Sequence, residues 1–232
     1  MLWENGKAKA KALPTGKDPG GNALWINDKG QIVGFTGPCG ATNHAVVWDN
    51  DNVNTLPDYK NGAEAFGNND RGQIVGFVGS SDGTTLYGAL WQNDTLTTLS
   101  SILPGDFGGI ASGINDKGQV VGSNFDSQGN WAHAFIWQNN VMTDLNALFP
   151  ASSNLFAVMA NKINEHGQIS GMAIVRSGPG MGNIHAFIAT PVRQSIGRSV
   201  ADDAPTRPKS NVPMNVGNQI LRSGGGLARL QR

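Results

Sequence analysis

Residues 27–34 of this chain read Asn-Asp-Lys-Gly-Gln-Ile-Val-Gly. Close copies of this motif stand at residues 69–76, 115–122 and 164–171, and their central glycines are 42, 46 and 49 residues apart. A motif that returns at a nearly constant interval of this size is typical of a repeat protein in which each copy forms one supersecondary unit. The sequence therefore predicts about four similar units.

A second motif follows each copy of the first. It reads His-Ala-Val-Val-Trp at residues 44–48, Tyr-Gly-Ala-Leu-Trp at 87–91, His-Ala-Phe-Ile-Trp at 133–137 and His-Ala-Phe-Ile-Ala at 185–189. Residues 2–6, Leu-Trp-Glu-Asn-Gly, form a fifth, truncated copy. Aromatic residues at one fixed position of a repeated sheet usually fill the space between neighbouring sheets. We therefore predict that the repeated tryptophans pack between units.

Two kinds of turn divide each unit into four short strands. The glycine of Asn-Asp-Lys-Gly supplies the positive φ that a three-residue hairpin loop with a bulge needs. The Asn-Asp, Asn-Asn or Asn-Gly pair after the tryptophan suits a two-residue type I′ hairpin. Between the turns lie β-branched and aromatic runs that are typical of strands. In the first unit this predicts strand a over residues 23–27, strand b over 31–36, strand c over 44–49 and strand d over 53–56.

The size of the unit predicts the architecture. Four antiparallel strands in 42 to 49 residues match a β-propeller blade, and blades must stack because a single sheet cannot bury both of its faces. We predict an all-β, β-propeller-like repeat of four-stranded antiparallel sheets with about four blades. The last unit supplies strands a, b and c, and residues 7–13 supply a strand d, so that the termini share one blade of a closed ring. A fragment of a larger ring stays open as the alternative.

Charge divides the chain into an acidic body and a basic tail. Residues 1–191 carry 10 Lys and Arg against 15 Asp and Glu, whereas residues 192–232 carry 7 against 2. The second segment mixes Pro, Gly, Ser and charged residues without a period. We therefore predict a propeller-like repeat domain over 1–191 and a basic disordered tail over 192–232. The single cysteine, Cys39, can build neither an internal disulfide nor a zinc site, and no apolar run is long enough to span a membrane.

These motifs resemble those of the HAF-repeat family of bacterial proteins, which is named for the triplet His-Ala-Phe. The triplet stands literally at residues 133–135 and 185–187, and residues 44–46 are a near match, whereas residues 87–89 read Tyr-Gly-Ala. The resemblance covers residues 1–191. It implies an extracellular or cell-surface repeat protein, from a family without an established activity.

No pattern of catalytic chemistry stands out in the sequence. The repeated histidines His44, His133 and His185 are interpreted as residues that cap strand c and hydrogen-bond a neighbouring loop; the alternative is a ring of ligands around the axis. The Asn-Asp pairs occur where hairpins need them and lack the spacing of a calcium loop. Nucleophile-elbow, zinc-protease and dinucleotide motifs are absent from the sequence. We predict no catalytic residue, no metal site, no cofactor and no nucleic-acid partner.

The function that the sequence favours is a non-catalytic, monomeric binding or interaction scaffold whose unknown ligand is a glycan or another protein. A propeller enzyme acting on glycans and a purely structural surface protein stay open as alternatives. The b–c and d–a loops vary among the copies, whereas the a–b and c–d turns hardly do. Because variable loops commonly carry binding residues, we predict ligand contacts on the b–c/d–a face, with Trp131, Tyr87 and Asp106 as members.

Overall fold

A computed structural model of the chain describes residues 11–38, 42–99 and 105–192. These residues form four antiparallel sheets, which we call units 1 to 4. Unit 1 contains β1 (Gly21–Ile26), β2 (Ile32–Thr36), β3 (His44–Asp49) and β4 (Asn52–Thr55). Unit 2 contains β5 (Ala63–Asn68), β6 (Ile74–Gly79), β7 (Leu86–Gln92) and β8 (Thr95–Leu99). Unit 3 contains β9 (Asp106–Ile114), β10 (Val120–Asp126), β11 (Trp131–Gln138) and β12 (Val141–Asp144), and unit 4 contains β13 (Leu155–Ile163), β14 (Ile169–Val175) and β15 (Ile184–Ala189).

In each unit the strands pair with their neighbours in chain order, as an antiparallel meander. The strands of unit 1 begin and end within two residues of the predicted positions. A short 3-10 helix, Leu145–Leu148, follows the last strand of unit 3. The sheets remain open and do not close into a barrel, so the predicted all-β, blade-like repeat is confirmed.

Both predicted turn types are present. Gly30, Gly72, Gly118 and Gly167 have φ values between 74° and 78°. In the first turn the amide of Gly30 donates to the carbonyl oxygen of Asn27 at 3.0 Å. Each c–d turn places two successive non-glycine residues at positive φ, as a type I′ hairpin requires; these pairs are Asn50 and Asp51, Asn93 and Asp94, and Asn139 and Asn140.

A bulge in the first strand of every unit explains the last glycine of the Asn-Asp-x-Gly motif. In β5 the pairing with β6 shifts between Ala65 and Gly67, which leaves Phe66 unpaired. At this point a Cβ on Gly76 would lie 1.9 Å from the carbonyl oxygen of Glu64. The equivalent glycines meet the same obstacle at 1.9 to 2.0 Å: Gly34, Gly122 and Gly171. The motif therefore ends on glycine because two backbones approach too closely for any side chain.

Neighbouring units bury their apolar faces against one another. Val33 and Val47 of unit 1 share a core cluster with Ala65 and Trp91 of unit 2. The same layer recurs between units 2 and 3 and between units 3 and 4. The indole Nε1 of Trp91 also donates to the carbonyl oxygen of Pro57 at 2.8 Å, in the chain that leads into its unit. The predicted packing of the repeated tryptophan between units is therefore confirmed for Trp91.

The first strands of successive units meet at the centre of the molecule, where β5 packs against β1 and β9, and β9 against β13. The residue two positions before the motif asparagine is Trp25, Gly67, Gly113 and Lys162 in units 1 to 4. A Cβ on Gly113 would lie 3.2 Å from the Cα of Lys162, so the strands are in close contact here. The two glycines allow this approach, while Trp25 and Lys162 extend into the space that remains.

Two expectations concern the ends of the chain, and a third concerns membrane-spanning segments. The predicted fourth strand of the last unit, residues 7–13, lies outside the described residues except for 11–13, which belong to no strand. The predicted disordered tail lies outside them from residue 193 onward. In the part of the chain that is described, no helix combines the length and apolarity needed to span a membrane.

Candidate functional site

A cleft of about 420 Å³ lies between the first and the last unit, at the end of the sheets that carries the Asn-Asp-x-Gly turns. Trp25 and Ile26 line it from β1, and Ser170 and Ile188 line it from unit 4. Lys162 also lines it, together with turn residues of units 2 and 3. The volume falls within the range of roughly 300–1,000 Å³ that is usual for small-molecule sites.

The two walls of the cleft are sheet faces whose counterparts in the other units are buried against a neighbouring unit. Ile188 holds the same position on its strand as Leu90 of unit 2, yet Ile188 is 69% exposed and Leu90 is 6% exposed. Ile26 corresponds in the same way to Ile114, and the exposed fractions are 54% and 8%. The interface that units form three times is therefore not formed between units 4 and 1 within the described ranges. Two apolar walls remain accessible as a result.

A ladder of hydrogen bonds joins the Asn-Asp-x-Gly turns of successive units. The side-chain amide of Asn27 donates to the carbonyl oxygen of Asn69 at 3.0 Å. Asn69 repeats this bond to Asn115 at 2.9 Å, and Asn115 repeats it to Asn164 at 3.0 Å. Each asparagine thus connects its own turn to the next.

The acidic residue of each turn forms the second rung of the ladder. The amide of Asp28 donates to the carboxylate of Asp70 at 3.2 Å, and the amide of Asp70 donates to Asp116 at 2.8 Å. At the third junction the amide of Asp116 donates to the carboxylate of Glu165 at 2.9 Å. The basic residue that follows also donates to the backbone carbonyl oxygen of the same acidic neighbour. These bonds run from Lys29 to Asp70, from Arg71 to Asp116 and from Lys117 to Glu165.

The ladder stops at the cleft, where its two ends carry complementary groups. No hydrogen bond between described residues joins Asn164 or Glu165 to unit 1, so the second amide hydrogen of Asn164 and the N–H of Glu165 are unused donors on the unit 4 wall. On the opposite wall, and among the described residues, the carbonyl oxygen of Asn27 accepts from Gly30 alone and the Asp28 carboxylate accepts no bond. Donors therefore line one wall and acceptors the other.

Lys162 ties the last unit to the other three at the inner end of the cleft. Its ammonium donates to the carbonyl oxygen of Phe66 at 2.9 Å and to that of Ser112 at 3.0 Å, and it lies 4.1 Å from the centroid of the Trp25 indole. Both carbonyls belong to the bulges of their strands. Burial lowers the pKa of Lys162 to about 8, although the carbonyls and the indole favour the charged form. The side chain is a cross-link at the axis.

Trp25 provides a large aromatic surface to solvent inside the cleft. The residue is 42% exposed, whereas Trp48 and Trp91 are buried. A second depression of about 370 Å³ shares Trp25 and Ile26 with the cleft and follows β1. An exposed indole flanked by apolar residues can bind the apolar side of a ligand.

The predicted contact residues lie at the opposite end of the sheets and do not line the cleft. The side chain of Asp106 is buried, its Oδ1 lies 3.1 Å from Nδ1 of His133, and its Oδ2 accepts from Asn124 at 3.2 Å. Trp131 is half-buried and packs on Phe125, with 4.5 Å between the ring centroids. Asp106 thus serves the interior of unit 3 rather than a surface.

Tyr87 remains the most accessible of the three predicted contact residues, because it is exposed on β7. The histidine at the equivalent place in other units contacts a carboxylate instead: His133 contacts Asp106, and Nδ1 of His44 lies 3.7 Å from Oδ2 of Asp58. These two contacts agree with the interpretation of the histidines as residues that hold a neighbouring segment. His185 is exposed on β15.

One buried carboxyl was not anticipated from the sequence. Glu64 of β5 is 1% exposed, and its Oε1 accepts from the side-chain amide of Asn43 at 2.7 Å. Burial raises the pKa of Glu64 to about 7, while the bond from Asn43 acts in the opposite direction. The pair lies at the junction of units 1 and 2 and does not line the cleft.

Two residues of the cleft, Trp25 and Lys162, were also missed at the level of sequence. The available signal is the position two residues before the motif asparagine, which is Trp in the first unit and Lys in the last but glycine in the two units between them. No cluster of three or more His, Cys, Asp or Glu side chains that could hold a metal ion occurs among residues 11–38, 42–99 and 105–192. No protein-family model matches the chain, and no curated protein sequence matches it either.

Proposed function

We propose that this chain is a non-catalytic binding module that receives its ligand in the cleft between unit 1 and unit 4. The observation that carries the proposal is that the described residues of units 4 and 1 do not form the interface that joins the other units. Apolar surface and unused hydrogen-bonding groups from both walls border one volume of about 420 Å³. Concave sites that combine apolar walls with a few polar groups are the usual form of a ligand pocket.

The charged groups of the cleft other than Asp28 are fixed in the framework, which supports binding rather than catalysis. The carboxylates of Asp70, Asp116 and Glu165 each accept a backbone N–H from the preceding unit. The ammonium of Lys162 is held by two carbonyls and an indole. Groups that are tied to the framework in this way fix the shape of the site, whereas acid–base catalysis needs a group within reach of the reacting atoms.

The cleft is a better supported site than the b–c/d–a face. On that face the Asp106 carboxylate is already bonded inside unit 3 and Trp131 packs on Phe125. Trp25, in contrast, is exposed and borders a defined volume. The extracellular or cell-surface location and the monomeric state remain parts of the proposal that rest on the resemblance to HAF-repeat proteins and on the repeat scaffold.

A thermal-shift screen of the full chain tests the proposal. The panel contains neutral oligosaccharides, amino acids, nucleosides and short peptides, each at millimolar concentration. A ligand that binds only the folded chain raises its stability by about 2.7 kcal/mol at a hundred times its Kd. We expect at least one compound to raise the Tm of the wild type and of Trp131→Ala, but not that of Trp25→Ala.

Two results would contradict this function. The first is a response that survives Trp25→Ala but disappears in Trp131→Ala or Tyr87→Ala, because the ligand would then bind the opposite face. The second is the absence of a response to every compound. The Tm of each unliganded variant is the control for its folding.

A further inference from the structure

The open ends of the turn ladder restrict the chemistry of the ligand. A bridging group must accept from the Asn164 amide and the Glu165 N–H on one wall. It must also donate to the Asn27 carbonyl and the Asp28 carboxylate on the other. At the three closed junctions the next unit satisfies these groups directly. In the cleft a ligand must therefore accept from the donors of one wall and donate to the acceptors of the other.

A hydroxyl meets both requirements with a single atom, because its oxygen donates one hydrogen bond and accepts two, whereas an amide needs its nitrogen and its oxygen for the same two tasks. A carboxylate or phosphate only accepts, and it would face the Asp28 carboxylate. An ammonium only donates, so it could pair with the Asp28 carboxylate but would leave the donors of Asn164 and Glu165 unpaired. The walls therefore favour an uncharged ligand that carries several hydroxyls.

Trp25 adds a requirement for an apolar face. The indole is partly exposed, with the Lys162 ammonium over one face of its ring, and Ile26 and Ile188 add exposed apolar surface to the same cleft. A sugar ring has hydroxyls around its rim and C–H groups on its faces, so it can stack on an indole while its rim bonds to polar walls. The volume of about 420 Å³ is of the size that encloses small ligands.

From this geometry we infer that the ligand of the cleft is a neutral sugar, which stacks on Trp25 and bridges Asp28 of unit 1 and Asn164 of unit 4. The inference rests on the proposed function, since it names the ligand class of the same site. The sugar replaces the fourth junction of the ladder. Its hydroxyls accept hydrogen bonds from the donors of the last unit and donate hydrogen bonds to the acceptors of the first.

Isothermal titration calorimetry of the full chain tests the inference. The neutral probes are cellohexaose, xylohexaose, laminarihexaose, mannohexaose and N-acetylchitohexaose; the charged probes are oligogalacturonate and oligoglucosamine. We expect at least one neutral probe to bind and both charged probes to bind at least tenfold more weakly. Asp28→Ala should weaken binding about 10- to 150-fold, because a hydrogen bond to a charged group contributes about 1.5–3 kcal/mol.

Asp49→Ala is the matched control, since Asp49 is an exposed carboxylate at a c–d turn outside the cleft. Its affinity should equal that of the wild type. Equal losses in both variants, tighter binding of a charged probe, or no binding of any neutral probe would overturn the inference. If the thermal-shift screen then gives a non-sugar ligand that depends on Trp25, the proposed function stands and the sugar assignment falls. If no ligand depends on Trp25, both fall.

Discussion

The ammonium of Lys162 lies 4.1 Å from the centroid of the Trp25 indole, and this contact connects the last unit of the chain to the first. The same ammonium donates to carbonyl oxygens of Phe66 and Ser112. One side chain thus contacts all three of the other units. Because the contact lies at the inner end of the cleft, Lys162 holds the two walls in position.

Replacing this lysine should destabilise the fold. Lys162→Met keeps most of the aliphatic side chain but removes the donors, so the carbonyl oxygens of Phe66 and Ser112 lose their partner. We expect a loss of about 1–3 kcal/mol in the free energy of unfolding, measured in urea. Lys117→Met is the control, because Lys117 is exposed and bonds one carbonyl at the surface; its change should stay within about 0.5 kcal/mol. Equal effects would show that the axial cross-link contributes nothing special.

The two glycines of one motif should differ sharply in their tolerance of alanine. A Cβ on Gly72 would meet nothing within 4 Å, so Gly72→Ala should lower the free energy of unfolding only through the positive φ of 76°, by about 1 kcal/mol. A Cβ on Gly76 would lie 1.9 Å from a backbone oxygen, and the strands would have to separate. We expect Gly76→Ala to lose several kcal/mol or to fail to fold, as judged by thermal unfolding and soluble yield. Comparable stabilities of the two variants would contradict the bulge geometry.

Stability should depend on pH through Glu64. Burial raises the pKa of this carboxyl in the folded state to about 7 from an ordinary value of 4.5. Between these pH values the folded chain retains a proton that the unfolded chain has released. The contribution of Glu64 to stability is therefore complete below pH 4.5 and declines as the pH rises to 7, by at most about 1.4 kcal/mol per pH unit.

Glu64→Gln isolates this effect, because glutamine keeps an oxygen that can accept from Asn43 but does not titrate. The free energies of unfolding of wild type and variant, measured from pH 4 to pH 8, should diverge as the pH rises, with the variant becoming the more stable. A difference that does not change with pH would mean that Glu64 is ionised at little cost within the fold.

The turn ladder predicts unequal effects of its acidic residues. The Asp116 carboxylate accepts a hydrogen bond from the backbone N–H of Asp70 at 2.8 Å. Asp116→Ala leaves that N–H without its partner and should lower the free energy of unfolding by about 1–2 kcal/mol. The Asp28 carboxylate accepts no such bond among the described residues, so Asp28→Ala should change the Tm by little. An equal loss of Tm in both variants would show that units 4 and 1 pair directly in solution and that the cleft is closed.

The sequence predicts the units and their turns well because these features are local. An Asn-Asp-x-Gly loop needs a glycine at positive φ, and a type I′ turn needs residues such as Asn93 and Asp94 that tolerate it. Such requirements restrict the residue types at the same turn positions in every repeat, so they can be seen in the sequence. For this reason the strands of unit 1 could be predicted to within two residues.

The candidate site could not be predicted in the same way, because it depends on what differs between units. Trp25 and Lys162 occupy a position that is glycine in units 2 and 3, and only the three-dimensional arrangement shows that this position lies at the axis. Loop variability directed attention to Asp106, whose carboxylate is in fact bonded to His133 and Asn124. A polar residue in a variable segment can therefore belong to the interior of the fold as well as to a binding surface.

The most direct test of the central claim is a fluorine NMR titration of the full chain labelled with 6-fluorotryptophan. The six tryptophans give six resonances, each assigned by one substitution. Titration uses the neutral hexasaccharides named above, alone and as a pool. We expect the resonance of Trp25 to shift with saturation and the resonance of Trp131 to stay in place. A shift of Trp131 without a shift of Trp25 would contradict the cleft as the binding site.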